Sequence, residues 1–161
     1  MPVDSEPGLT DAEFDRLEQQ FDFTFADDHR AYLAAGLPLG AGWPNWRSGG
    51  RALQKQLQLP VDGILYAVEW TEFWHDAWDS RPARMKDALR SAKYHLARAP
   101  KLLPVFSHHY LPSRESHQPV LSVVRTDVSV VGVDLADYLE RDASSPVAAT
   151  CMIEFWSSLI S

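Results

Sequence analysis

The chain has 161 residues, 45% of them hydrophobic, with six Trp, seven Phe, one Cys and a formal net charge of −7. That length and composition give one domain with a single sizeable core and exclude intrinsic disorder. No apolar run reaches the ~20 residues that span a bilayer, the acidic opening MPVDSEPGLTDAE lacks the basic and apolar regions of a signal peptide, and a lone cysteine excludes an internal disulfide or a thiolate cluster; together these predict a soluble, cytoplasmic protein.

Residues 1–8 are expected to be a flexible tail to a single domain spanning 1–161. Thr10-Asp11-Ala12-Glu13 is a capping box, and Leu9 and Phe14 stand where a hydrophobic staple places them. Phe14, Leu17 and Phe21 continue one helical stripe, so the first helix is predicted from about 10 to 20. A second short helix starts near Asp27 or Asp28, buries Tyr32 and Leu33, and stops at Gly36 before Pro38. GLPLGAGWPNWRSGG, residues 36–50, is a Gly- and Pro-rich loop, and Leu53 and Leu57 give a third short helix. Gly63 to Val68 reads as the first strand, followed by the aromatic and acidic connection TEFWHDAWDSRP.

Pro82 suits the first turn of the next helix, whose apolar face is Met85, Leu89, Ala92, Leu96 and Ala99 and whose end is Pro100. Short strands are predicted at Leu103 to Phe106, Val120 to Val124 and Val128 to Val133. Pro104 and Pro112 suit a protected sheet edge, Thr126-Asp127 is turn chemistry, and Gly132 lets the chain turn closely into a helix capped by Asp134. Ser144-Ser145-Pro146 is a joint, and Ala148 to Ile160 is expected to be helical rather than extended. Helices followed by strands at hairpin spacing predict an α+β domain with a mainly antiparallel sheet.

Charge is divided unevenly along the chain. Residues 1–28 carry nine acids against Arg16 alone, whereas residues 81–101 carry seven Lys and Arg against Asp87. An acidic end steers the approach of a basic partner. The same charges also suit two solvated helix faces. Nucleic-acid binding by the basic helix from 83 to 98 is disfavoured, since it carries one aromatic, Tyr94, in a chain of pI about 5.2.

Motifs for chemistry are weak. His108, His109, His117 and His75 suggest a metal site, but adjacent strand residues point to opposite faces, and no HExxH spacing accompanies them. Polar histidines, one bonding backbone at a strand end, are the simpler expectation. Cys151 lies in the apolar run ATCMIEFW with no basic neighbour to activate it, and Ser107 beside His108 is no triad. RSGG, Arg47 to Gly50, lacks the context of a phosphate loop. Glu69, Glu72, Asp76 and Asp79 lie among Trp70, Phe73, Trp74 and Trp78 and supply the pair of carboxylates a hydrolase would need. Trp43, Trp46, Trp70, Trp74 and Trp78 fall in connections, where they either anchor a protein partner or plug the open end of a small sheet.

The order of these pieces resembles the SUKH superfamily, the domain of the yeast Smi/Knr cell-wall regulators and the bacterial Syd protein. The matching pieces are LTDAEFDRLEQQFDFTFADDHRAYL, the GWPNW loop, Gly63-Ile64-Leu65, EFWHDAWDSRP, PKLLPVFSHHYLP and QPVLSVVRTDVSVVGVDLADYL, over about residues 9–141. Asp79 replaces a usual Gly after the Trp, and VSVVGVDL lacks an aromatic pair before its Gly. The resemblance implies a SUKH-like fold and a binding protein rather than an enzyme. Bacterial members are immunity proteins that neutralise toxins, often nucleases, and others are regulatory interaction scaffolds. On this reading the partner is a cognate toxin domain, with no cofactor, metal or catalytic residue. Partner charge falls to Asp11, Asp15, Glu18, Asp22, Asp27 and Asp28, with Trp43, Trp46, Trp74 and Trp78 as anchors. A Smi/Knr-like scaffold is the alternative, and a hydrolase built on the acidic Trp loop a further one.

Overall fold

The computed structural model describes residues 4–141, 147 and 152–160. Among them the fold is α+β: a two-stranded ribbon, a four-stranded antiparallel sheet and five α-helices. No helix among the described residues is long and apolar enough to cross a membrane.

Within the stretch expected to be a tail, two described residues form a strand. β1 (Ser5–Glu6) pairs antiparallel with β2 (Leu37–Pro38), and the Leu9 amide donates to the Leu33 carbonyl at 2.9 Å. α1 (Asp11–Phe21) then starts on the predicted capping box: the Glu13 amide donates to the Thr10 hydroxyl at 3.2 Å, and the Thr10 amide donates to Glu13 Oε1 at 3.1 Å. α2 (Asp27–Ala35) follows and ends at Gly36, as the sequence predicts, burying Leu33 and His29 and leaving Tyr32 half-buried.

The largest difference from the sequence reading is at residues 50–70. The predicted short helix and the predicted strand at Gly63–Val68 are one 21-residue helix, α3 (Gly50–Trp70), with Pro60 inside it. Its buried positions, Leu53, Pro60, Ile64, Ala67 and Val68, keep helical rather than alternating spacing. Proline has no amide, so the Gln56 carbonyl loses its usual donor four residues on. The hydroxyl of Tyr110, a fully buried strand residue, takes that place, donating to Gln56 O at 3.0 Å. Gly63 has its own reason: a Cβ there would lie 3.0 Å from the Arg125 Cα.

α4 (Met85–Arg98) buries Ala88, Ala92 and Leu96, while Met85 is exposed and Pro82 precedes the helix. The sheet is a meander of β3 (Leu102–Phe106), β4 (His109–Pro112), β5 (Val120–Val124) and β6 (Asp127–Gly132). β4 is additional to the predicted strands; it pairs Leu103 with Leu111 and Pro104 with Tyr110. Pro104 sits in edge strand β3, where a missing amide is tolerated. α5 (Leu135–Glu140) is capped by Asp134, whose carboxylate accepts from the Asp137 amide at 2.8 Å.

Alternation along the strands distributes the core. Leu102, Tyr110, Leu121, Val123 and Val128 face α3 and α4 in one cluster, completed by Trp78, Ile153 and Trp156. Leu103 joins a second cluster with Phe14, Leu17, Phe23, Phe25, Leu33, Trp46 and Leu53. Val105, Leu111, Val120 and Leu135 form a third. The helix expected over Ala148 to Ile160 is not observed in its described part. Met152 to Phe155 are non-helical, Trp156–Leu159 is one 3-10 turn, and Ile160 bridges Val128 in parallel. Ser144 to Pro146, Ala148 to Thr150 and Cys151 lie outside the described residues.

Two predictions follow from this packing. Tyr110→Phe strips the Gln56 carbonyl of its donor inside the fold and should cost about 1–3 kcal/mol in denaturant unfolding. His29 is buried among Phe25 and Trp46 with Nδ1 unpartnered among the described residues, and burial pushes its imidazole from 6.5 down to about 3. The unfolded chain therefore binds one proton more than the folded one between those values, and stability falls as pH drops through that window. A urea-midpoint profile should show about 1.4 kcal/mol lost per unit below 6.5, and His29→Phe should flatten it between 6.5 and 4.5, above the range in which the carboxylates take up protons.

Candidate protein-binding surface

Asp11, Asp15, Glu18 and Asp22 recur at three- and four-residue spacing and so share one stripe of α1. Their environments divide them. Glu18 is turned inward: Oε2 accepts from the Phe25 amide at 2.8 Å, and Oε1 is 3.7 Å from Arg30. Asp28 is similarly occupied, accepting from the His29 amide at 2.9 Å and the His117 amide at 3.1 Å. Asp11 is exposed and pairs with Arg30 at 3.2 Å; Arg30 also lies 4.3 Å over the Phe14 ring. Asp22 closes α1 in the left-handed region at φ 54°, with Lys101 3.9 Å from its carboxylate and bonded to its carbonyl. Asp15 and Asp27 are exposed and make no ion pair among the described residues. Of these six acids, Glu18 and Asp28 serve the backbone and the other four face solvent.

The acidic helix is held to the following loop by Arg47. Its guanidinium grips Glu13 through Nε–Oε2 at 2.7 Å and Nη2–Oε1 at 3.0 Å, and donates to the Pro7 and Gly8 carbonyls at 3.1 Å. The Arg47 bond, seconded by the Thr10 amide, holds the Glu13 carboxyl down at about 2. RSGG is therefore a structural clamp in this fold.

The four predicted Trp anchors fare unequally. Trp46 is 2% exposed, packed edge-on against Phe23 and Phe25. Trp78 is 9% exposed and sandwiched between His95, 5.4 Å away, and Phe155, 5.6 Å away, with both rings near parallel to it. Both are core rings, a correction to their expected role: a bulky ring arriving from a loop fills the gap between layers instead of facing water. Trp43 is half-buried against Phe106 at 4.8 Å, and half-buried Trp74 donates its indole N–H to the Asp79 carbonyl at 2.7 Å.

The exposed aromatic site lies elsewhere, at the end of α3. Trp70 is 67% exposed and Tyr66 41%, with ring centroids 6.5 Å apart and the Arg125 guanidinium 4.0 Å over the Tyr66 ring. Reading Gly63–Val68 as a strand hid this group, because period two sends Tyr66 inward. The signal that finds it is the spacing of Leu59, Tyr66 and Trp70 read at helical period.

Other candidates resolve into supporting roles. His109 Nδ1 meets the Tyr138 hydroxyl at 2.6 Å, and burial with neighbouring His108 lowers its pKa. His75 Nε2 meets Ser158 Oγ at 2.8 Å, and Ser107 Oγ lies 3.2 Å from His108 Nδ1 with His108 exposed. No group of three or more His, Cys, Asp or Glu among the described residues is placed to hold a metal ion. Glu69, Glu72, Asp76 and Asp79 are all exposed. Arg81 turns inward, donating to the Val68 carbonyl at 2.9 Å and the Phe73 carbonyl at 3.0 Å, so it closes α3 and orders the Trp loop. Two clefts of about 610 and 540 Å³ meet at Phe23, Ala97, Ala99, Pro100 and Lys101. No family model, curated protein or solved structure matches the chain.

Proposed function

We propose that this chain is a non-catalytic protein-binding module that acts as an immunity protein, neutralising a basic toxin domain by covering it. The observation that carries this reading is the outward face of α1 and the start of α2. There Asp11, Asp15, Asp22 and Asp27 face solvent, and Asp15 and Asp27 make no ion pair among the described residues. A toxin that cleaves nucleic acid needs a cationic surface for its polyanionic substrate. An acidic helix face matches that surface in sign, speeds encounter and blocks access without performing chemistry. The ordered likeness to SUKH proteins over residues 9–141 supports the same reading, and a cognate inhibitor of this kind acts in the cytoplasm, where such a toxin finds its substrate.

The test begins with the DNA flanking the gene. The toxin-like domain encoded beside it is purified as a catalytically dead variant and its association with this chain is followed by stopped flow against ionic strength. One-to-one, salt-sensitive binding is expected. Asp15→Lys with Asp27→Lys should slow association about tenfold while changing dissociation little. An unaltered on-rate and salt slope would remove the α1 face from the interface; weak binding to several host proteins instead would favour a regulatory scaffold.

A further inference from the structure

We propose that the outward face of α3, together with the β5–β6 turn, docks a cationic amphipathic helix of a protein partner. Leu59, Tyr66 and Trp70 stand at i, i+7 and i+11 of α3, with Gly63 at i+4, forming one straight stripe. They lie about 100° around the helix from the buried Leu53, Pro60, Ile64 and Ala67, and are 47%, 41% and 67% exposed. Val124 of the turn adds an apolar side chain that is 51% exposed. Trp, Tyr and Arg are the residue types that concentrate binding energy at protein interfaces, and all three meet here.

The patch is also held ready. Gly63 brings the helix against the Arg125 backbone, and the Arg125 guanidinium lies flat over Tyr66, which in turn neighbours Trp70. A surface already ordered in its binding shape loses less entropy on association. Its shape and charge select the occupant. From Leu59 to Trp70 the stripe runs about 16 Å, or three helical turns; the Arg125 backbone packs on Gly63 midway, so a partner helix lies beside the turn, over the exposed Leu59, Tyr66 and Trp70. Exposed acids flank it: Asp62 and Glu69 on α3, Glu72 just beyond, and Asp127 beside the turn, against Arg125 and Lys55. An apolar seam bordered by acids is matched by a helix whose Leu or aromatic stripe is bordered by Lys and Arg. The aromatic faces also accept a cation. A second copy of this chain would set the same acids against each other, and an anionic bilayer would be repelled by them.

This inference rests on the reading of the chain as a protein-binding module, but on a different face from α1 and on no particular partner. The probe is a fluorescein-labelled Leu–Lys peptide of about 14 residues with Leu at helical spacing, titrated with the full chain by anisotropy; its Leu–Glu counterpart is the control. Saturable binding of the Leu–Lys peptide is expected. Trp70→Ala and Tyr66→Ala should each weaken it about tenfold, and Asp62→Lys with Glu69→Lys should weaken it and flatten its salt dependence. Trp70 is exposed, so matching thermal midpoints for Trp70→Ala and the parent chain are the check on folding. Absent binding, equal binding of the Leu–Glu peptide, or binding indifferent to Trp70→Ala would overturn the proposal. Weakening by Asp15→Lys with Asp27→Lys but not by Trp70→Ala would move the contact to α1, overturning this proposal and leaving the immunity reading standing. A Trp70-dependent dimer in sedimentation would assign the face to a second copy and overturn it as well.

Discussion

The hydrogen bond from the Tyr110 hydroxyl to the Gln56 carbonyl is the contact on which the arrangement of α3 depends. A proline inside a helix removes one donor and leaves a carbonyl bare. In water that carbonyl is solvated; against a sheet it is an unmet acceptor. By supplying the donor from β4, the fold lets one helix run from Gly50 to Trp70 instead of breaking at Pro60. Everything placed by α3 follows: Leu53 in the second core cluster, Ile64 and Val68 in the first, and the Tyr66–Trp70 stripe on the exposed flank beside the β5–β6 turn.

A second constraint organises the acidic end. Glu13 is at once the reciprocal partner of the α1 cap and the anchor of Arg47, whose other donors hold the carbonyls of residues 7 and 8. Acids in this region are therefore of two kinds, those consumed by the backbone (Glu13, Glu18, Asp28) and those left to solvent (Asp11, Asp15, Asp22, Asp27). Net charge alone counts both equally. The second kind is the one exposed for direct contact with a cationic surface.

What could be read in the chain depended on how local each signal is. The Thr10–Glu13 box, the Gly36 stop, the Val120–Val124 strand and the Asp134 cap are set by neighbours in sequence, and the structure carries them as expected. Gly63–Val68 misled because Pro60 and Gly63 are breakers in isolation, whereas their compensations, Tyr110 and the Arg125 turn, lie some fifty to sixty residues further along. β4 is short and ends on Pro112, which pairs with Leu102 of edge strand β3 and lies beyond the two residues of β4 that pair with β5. Among the tryptophans, composition could not tell a plug from an anchor: Trp46 and Trp78 fill layers, while Trp70, at the last turn of a misread helix, stays in water.

The three core clusters also differ in when they can close as the chain emerges from the ribosome. The second is complete once Leu103 has been made, and the third once Leu135 has. The first has its α3 and α4 members early but waits for Ile153 and Trp156, whose indole N–H reaches back to the Pro100 carbonyl at 2.9 Å. The face of Trp78 that stacks on Phe155 therefore remains uncovered through the synthesis of the intervening chain. That interval is when a nascent chain of this protein is most open to chaperone capture and to aggregation.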